Sequence, residues 1–314
     1  LDLTKDARQG FAQAKQLLAA GFDFLEANLT SLATIPQEEY EALKAAVNAL
    51  GLPVPACNCM LPKEIRIVSP GVDEAALHEY VERAFSRAAG VGVEKAVLGS
   101  DKSRQLPPEA DQDAAYDEFI AMVRKHVVPA CEKYGITVVI EPLRVPCNFI
   151  NTLADGMRVV RGVDHPQVRL LADTIHVMTS RENIACVREF EPFIRHVHVS
   201  DWERELPEFT YSSELTALLR EIKQSGYDGD YSFSIHFIAP TAEELREIAQ
   251  PEDEAPEEAA DDTAADDMPA FDISSASAEA PAETEPRLFD ETSLRETELS
   301  LRIRNVLART KEIY

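Results

Sequence analysis

Positive charge is what this 314-residue chain has least of: 31 Lys and Arg stand against 56 Asp and Glu, a formal net charge of −25. That balance excludes a nucleic-acid partner, because phosphate backbones are held by clustered Lys and Arg. An anionic membrane surface is excluded for the same reason. No run reaches the ~20 apolar residues that span a bilayer, and no basic-then-apolar secretory segment opens the chain. The five cysteines (57, 59, 131, 147 and 186) are an odd set without metal-finger spacing, and Cys57 and Cys59 lie in an apolar run. Reduced thiols in a cytoplasmic protein are the expectation. A glycine-rich phosphate loop after the early strands is also missing, which weakens a doubly wound nucleotide fold. The first residue is Leu1 rather than Met, so an upstream piece is expected to have been removed.

What is present is a repeat. Short apolar runs at 22–27, 53–59, 93–99, 136–141, 168–173, 194–200 and 230–236 read as strands. Between them amphipathic stretches at 37–50, 73–90, 110–134, 152–163, 180–192 and 212–225 read as helices, and another helix opens the chain at about 4–20. Alternating strands and helices predict a parallel sheet covered by helices. A helix that comes first implies a strand before it. The predicted fold is therefore an α/β TIM barrel of eight βα units whose first strand is missing from this chain. Residues 251–286 carry 13 Asp or Glu and no Lys or Arg; without them the formal charge is −12. Such a segment buries too little apolar surface to order itself. The expected division is a barrel over 1–250, a disordered acidic insertion over 251–287, and a closing helix over 288–314.

A TIM barrel places its active site at the C-terminal ends of the strands. The polar groups there are Glu26, Asn58, Ser100, Glu141, Asp173, His198 and, in the last strand, Ser234 or His236. Glu141, Asp173 and His198 offer two oxygen ligands and one nitrogen ligand, a set suited to Mn²⁺, Mg²⁺, Co²⁺ or Zn²⁺. Each has a plainer explanation: Glu141 ends a strand before Pro142, Asp173 caps the following helix, and His198 is a core histidine. For a lone histidine the core explanation wins. Three such groups on consecutive strand ends favour the metal. Arg104 reads as an exposed loop arginine or a substrate contact, Glu26 and Asn58 as substrate hydrogen-bonding groups at the mouth, and Asn148 as a cap for the helix near Thr152.

The runs "IEPLRVPCNFINTLADGMRVVRGVDHPQVRLLADTIHVM" and "RHVHVSDWER" resemble the xylose isomerase-like TIM barrels, and within them the sugar phosphate isomerase/epimerase branch with its ketose 3-epimerases. "GSDKSRQLPPEAD" and "NCMLP" resemble loops of the same branch, and the likeness covers residues 4 to 237 and the final helix. The resemblance implies a divalent metal held by Glu141, Asp173, His198 and a fourth carboxylate, with His176 and Arg204 on a small keto sugar or polyol. Glu141 would then remove the proton next to the carbonyl. It also implies a homo-oligomer, by analogy alone.

Two positions depart from the pattern. Cys147 stands where the family has a substrate-contacting Glu. Ser234, in "YDGDYSFS", stands where the fourth ligand and second proton carrier is expected. His236 shares its strand face and is the remaining candidate ligand. A metal-dependent isomerase or epimerase is thus weighed against a sugar- or partner-binding barrel without turnover. A nuclease on the same fold ranks last, having too few histidines at strand ends and the wrong charge.

Overall fold

The computed structural model describes residues 14, 15, 17–19, 21–204 and 212–235. These belong to one of the chain's two compact units; the other, 238–299, lies outside the described residues. So do His236, the acidic segment and the expected closing helix.

Seven strands are described: β1 (Glu26–Asn28), β2 (Ala56–Asn58), β3 (Lys95–Leu98), β4 (Thr137–Ile140), β5 (Val168–Asp173), β6 (Ile194–Val199) and β7 (Asp230–Phe233). Six of them fall inside predicted apolar runs; β1 starts within the run 22–27 and ends one residue past it, at Asn28. All pair in parallel with their sequence neighbours, in the order β1 to β7. Helices follow the strands and cover the sheet, as parallel pairing requires. The sheet curls into a nearly closed barrel. Lys95 of β3 forms an ion pair with Asp230 of β7, and Glu26 of β1 meets His196 of β6 across the inside.

Alternation sorts the side chains into two layers. Ala96, Leu98, Val138, Ile140, Leu170, Ala172, Val197 and Val199 face the helices and join the main core. Val97, Val139 and Leu171 form a separate small cluster, which is the packed inside of the barrel. Between β5 and β6 the pairing slips by one residue: Leu170 opposes Ile194, but Leu171 opposes His196.

The predicted helices 37–50, 73–90, 152–163 and 212–225 appear as Gln37–Leu50, Glu74–Gly90, Leu153–Val163 and Ser213–Gln224. Two predictions need correction. The stretch 110–134 is Gln112–Met122 and Val128–Tyr134 joined by a π turn at Val123–Val127. The helix expected at 180–192 instead begins directly after β5, at Thr174–Ser180, because the Asp173 carboxylate accepts the Ile175 N–H at 3.0 Å. Arg181 ends it in the left-handed region (φ 57°), and a short helix follows at Cys186–Phe190. The helix expected at 4–20 lies largely outside the described residues. No described helix is long and apolar enough to cross a membrane. All five cysteines are free.

Candidate active site and metal centre

Strand alternation builds the site from the barrel interior outward. Two residues beyond Val139 and Leu171, on the same face, stand Glu141 and Asp173. His198 is in register with Asp173, and Ser232 with His198. Glu141 Oε1 is 3.2 Å from His198 Nδ1, and Asp173 Oδ2 is 3.8 Å from the same nitrogen. Ligand atoms of Glu141, Asp173 and His198 all lie within 4.8 Å of one another. The glycine at 99 makes room for this: a Cβ there would sit 2.2 Å from Glu141 Oε2. Two carboxylate oxygens and one imidazole nitrogen converging in such a cradle fit a divalent cation.

The neighbours are equally specific. Arg204, held at φ 54°, donates to Asp173 Oδ2 at 2.9 Å and to the Ser234 hydroxyl at 2.6 Å. His176 Nδ1 lies 3.2 Å from the Arg144 backbone N–H. Its Nε2 lies 3.6 Å from Asp173 Oδ2 and 3.1 Å from Arg204. Ser234 therefore meets Arg204, and Arg204 closes on Asp173. Asp201, three residues before Arg204, accepts from Ser212 and steadies the start of helix Ser213–Gln224.

Some predicted residues take other places. Arg104 is 0 % exposed, not an exposed loop arginine; it donates to the carbonyls of Leu98, Glu141 and Ile150 and so braces the end of β4. Asn148 does not cap the helix near Thr152. It exchanges hydrogen bonds with the Leu106 backbone, while Thr152 and Asp155 form the capping box themselves. Cys147 is buried, its thiol on the Phe149 carbonyl. Asn58 is half-buried in register with Asn28. Glu26 lies beneath His198, its carboxylate taken by the Nε2 atoms of His196 (2.9 Å) and His198 (3.0 Å). His196 is a polar centre the sequence does not single out, although it lies two residues before His198 on the same strand face, as Ser232 lies two before Ser234.

Charge follows geometry. Burial opposes the Asp173 carboxylate, but the His198 ring and the charges of His176 and Arg204 outweigh it and hold its pKa at about 2. Burial lowers the His176 pKa more than the nearby carboxylates of Asp173 and Glu141 raise it. Burial and the carboxylates of Glu141 and Glu26 push the Cys59 thiol up. For His198 burial acts downward, yet Glu26, Asp173 and Glu141 together raise it well above the ordinary histidine value. Protonation of this ring and ligation of a metal by its Nδ1 therefore compete. Co²⁺ affinity is expected to fall about tenfold per pH unit as pH drops through that raised pKa, with one proton released per ion. Calorimetry in buffers of differing ionisation enthalpy reads both, and a pH-independent affinity would contradict it.

With this geometry in place, comparison with known proteins is direct. The sequence profile of the xylose isomerase-like TIM barrels matches residues 14–260. The chain belongs to that family. A relative of known activity, the 3-dehydro-D-guloside 4-epimerase of Escherichia coli K12, is 27 % identical over 199 residues, 60 % of this chain and 74 % of the enzyme. The D-psicose 3-epimerase structure from Clostridium cellulolyticum H10 superposes with a TM-score of 0.64 at 19 % identity, over 74 % of this chain and 81 % of the other. The 3-keto-D-glucoside 4-epimerase of Escherichia coli superposes at 0.59 with 24 % identity, over 76 % and 91 %. This xylose isomerase-like barrel thus has sugar epimerases among its relatives.

Proposed function

We propose that this barrel is a metal-dependent isomerase or epimerase that removes a proton next to the carbonyl of a small keto sugar or polyol. The observation that carries the reading is the convergence of Glu141, Asp173 and His198 within 4.8 Å, with Arg204 and His176 against Asp173. Relatives named for a 3-dehydro guloside and for psicose, both keto sugars, point to the same substrate class.

Glu141, Asp173 and His198 would hold the ion. A divalent ion bound there would supply Lewis-acid polarisation of the carbonyl. The chain's own residues supply the rest. Glu141 is the base of the proposal, at 12 % side-chain exposure reachable from the mouth yet largely shielded from water. Arg204 offers donors to substrate hydroxyls, and the His176 imidazole stands beside it as a second polar contact. Ser234 lacks a proton-carrying carboxylate, and its hydroxyl is engaged by Arg204. That favours transfer of the proton by Glu141 to the neighbouring carbon, an isomerisation, or its delivery from solvent on the opposite face, an epimerisation, over a two-glutamate exchange.

The same hydroxyl, with the buried thiol of Cys147, favours a second reading: a barrel that binds sugar without turnover. Incubation of the Mn²⁺-, Co²⁺- or Zn²⁺-supplemented protein with ketoses and 3-keto glycosides in deuterated water separates the two. Deuterium entering the carbon beside the carbonyl is the expected result. Saturable binding with no exchange on any member of the set would overturn the catalytic reading.

A further inference from the structure

One histidine belongs to two sets of ligand atoms. Through Nδ1 His198 faces Glu141 and Asp173; through Nε2 it faces Glu26 and His196, and the atoms of each set lie within 4.8 Å. A neutral imidazole has one lone pair and one proton, so it can serve a cation in only one of these sets.

The surroundings of the two nitrogens decide which. His198 Nε2 lies 3.0 Å and 3.3 Å from the two oxygens of Glu26. Glu26 Oε2 is also 2.9 Å from His196 Nε2, which in turn lies 2.9 Å from the Ser232 hydroxyl. His196 is 0 % exposed and its Nδ1 meets no partner among the described residues, so its proton sits on Nε2. An ionised carboxylate only accepts. Glu26 therefore takes one imidazole N–H from each histidine. Nδ1 of His198 faces the opposite way, toward the carboxylates of Glu141 and Asp173.

The geometry points to Glu26 as a positioning residue that keeps the proton of His198 on Nε2 and so presents the Nδ1 lone pair to the Glu141–Asp173 pair. His196 and Ser232 fix Glu26 in turn, with the Phe24 ring 6.4 Å from His196 walling that side. This rests on the metal site proposed above and replaces the substrate contact expected for Glu26, which lies below His198. A carboxylate behind a ligating histidine orients its ring and sets its tautomer.

The test uses the whole chain with nitrogen-labelled histidine and Cd²⁺ as the spin-active probe. Scalar coupling from cadmium to Nδ1 of His198, with the proton on Nε2, is expected. Coupling to Nε2 would overturn the inference, because the ion would then occupy the Glu26–His196–His198 set. Glu26→Gln, which turns an amide N–H toward one of the imidazoles, is expected to weaken Cd²⁺ binding about ten- to hundredfold. Unchanged affinity in a folded variant would also overturn it. If the variant does not fold, the wild-type spectra decide. If wild type binds no Cd²⁺, the proposed metal site fails, and the tautomer is read on metal-free protein above the titration of His198. A proton on Nε2 then upholds the role of Glu26 and one on Nδ1 refutes it.

Discussion

Asp173→Asn is expected to weaken Co²⁺ binding about a hundredfold or more while the barrel still folds. The two carboxylate oxygens do different work. Oδ1 accepts the Ile175 N–H at 3.0 Å and starts the helix after β5, a task an amide oxygen performs as well. Oδ2 faces His198 Nδ1 and takes the Arg204 guanidinium at 2.9 Å. An amide NH₂ in its place opposes both, and removes the negative charge a hard cation requires. Arg204 keeps its bond to Ser234 but loses its buried counter-ion, a cost of about 3 kcal/mol. Calorimetric titration with Co²⁺ and a thermal melt, expected about 10 °C lower, read the two effects separately. Wild-type affinity in the Asn variant would remove Asp173 from the metal site.

Gly99→Ala should do the reverse, harming the site more than the fold. The added Cβ would stand 2.2 Å from Glu141 Oε2, while the next atoms, Glu141 Cδ and Leu143 Cδ2, lie at 3.3 Å and 3.5 Å. The atom in the way is the tip of a flexible side chain, so the collision is relieved by swinging Glu141 aside. Stability should fall by only about 1 kcal/mol, the low end of overpacking costs. Metal affinity and deuterium exchange should each drop at least about tenfold, as expected when the group proposed as both ligand and base is moved by about an ångström. A variant with native exchange rates would show that Glu141 is not held where the reaction needs it.

Both substitutions fall on groups that local pattern alone exposes unevenly. The strands were legible because each is a short apolar run between amphipathic helices, and Glu141, Asp173 and His198 because a barrel gathers its strand ends. Asp173 misled the helix assignment for a physical reason: it ends a strand and starts a helix with one side chain, so no loop intervenes. His196 was not legible as a polar centre. A histidine inside an apolar strand ordinarily sits in the core, and its partner Glu26 lies 170 residues away. Arg104 was misjudged because its buried acceptors are backbone carbonyls, which leave no mark in sequence. Gly99 carries no signal until the Glu141 side chain is placed beside it.

The one-residue slip between β5 and β6 bears on all of this. Strict alternation in "IRHVHV" would set Ile194, His196 and His198 on a single face. Yet Ile194 lies in the outer core with Val197 and Val199, while both histidines point inward, because Arg195 is a surplus residue that bulges out exposed. Were Arg195 instead paired opposite Leu171, Asp173 would oppose Val197, and both imidazoles would be driven into the oily layer under the helices. One unpaired arginine, remote from any ligand atom, is thus the pivot that turns a stretch of ordinary strand into the side of the barrel where chemistry can happen.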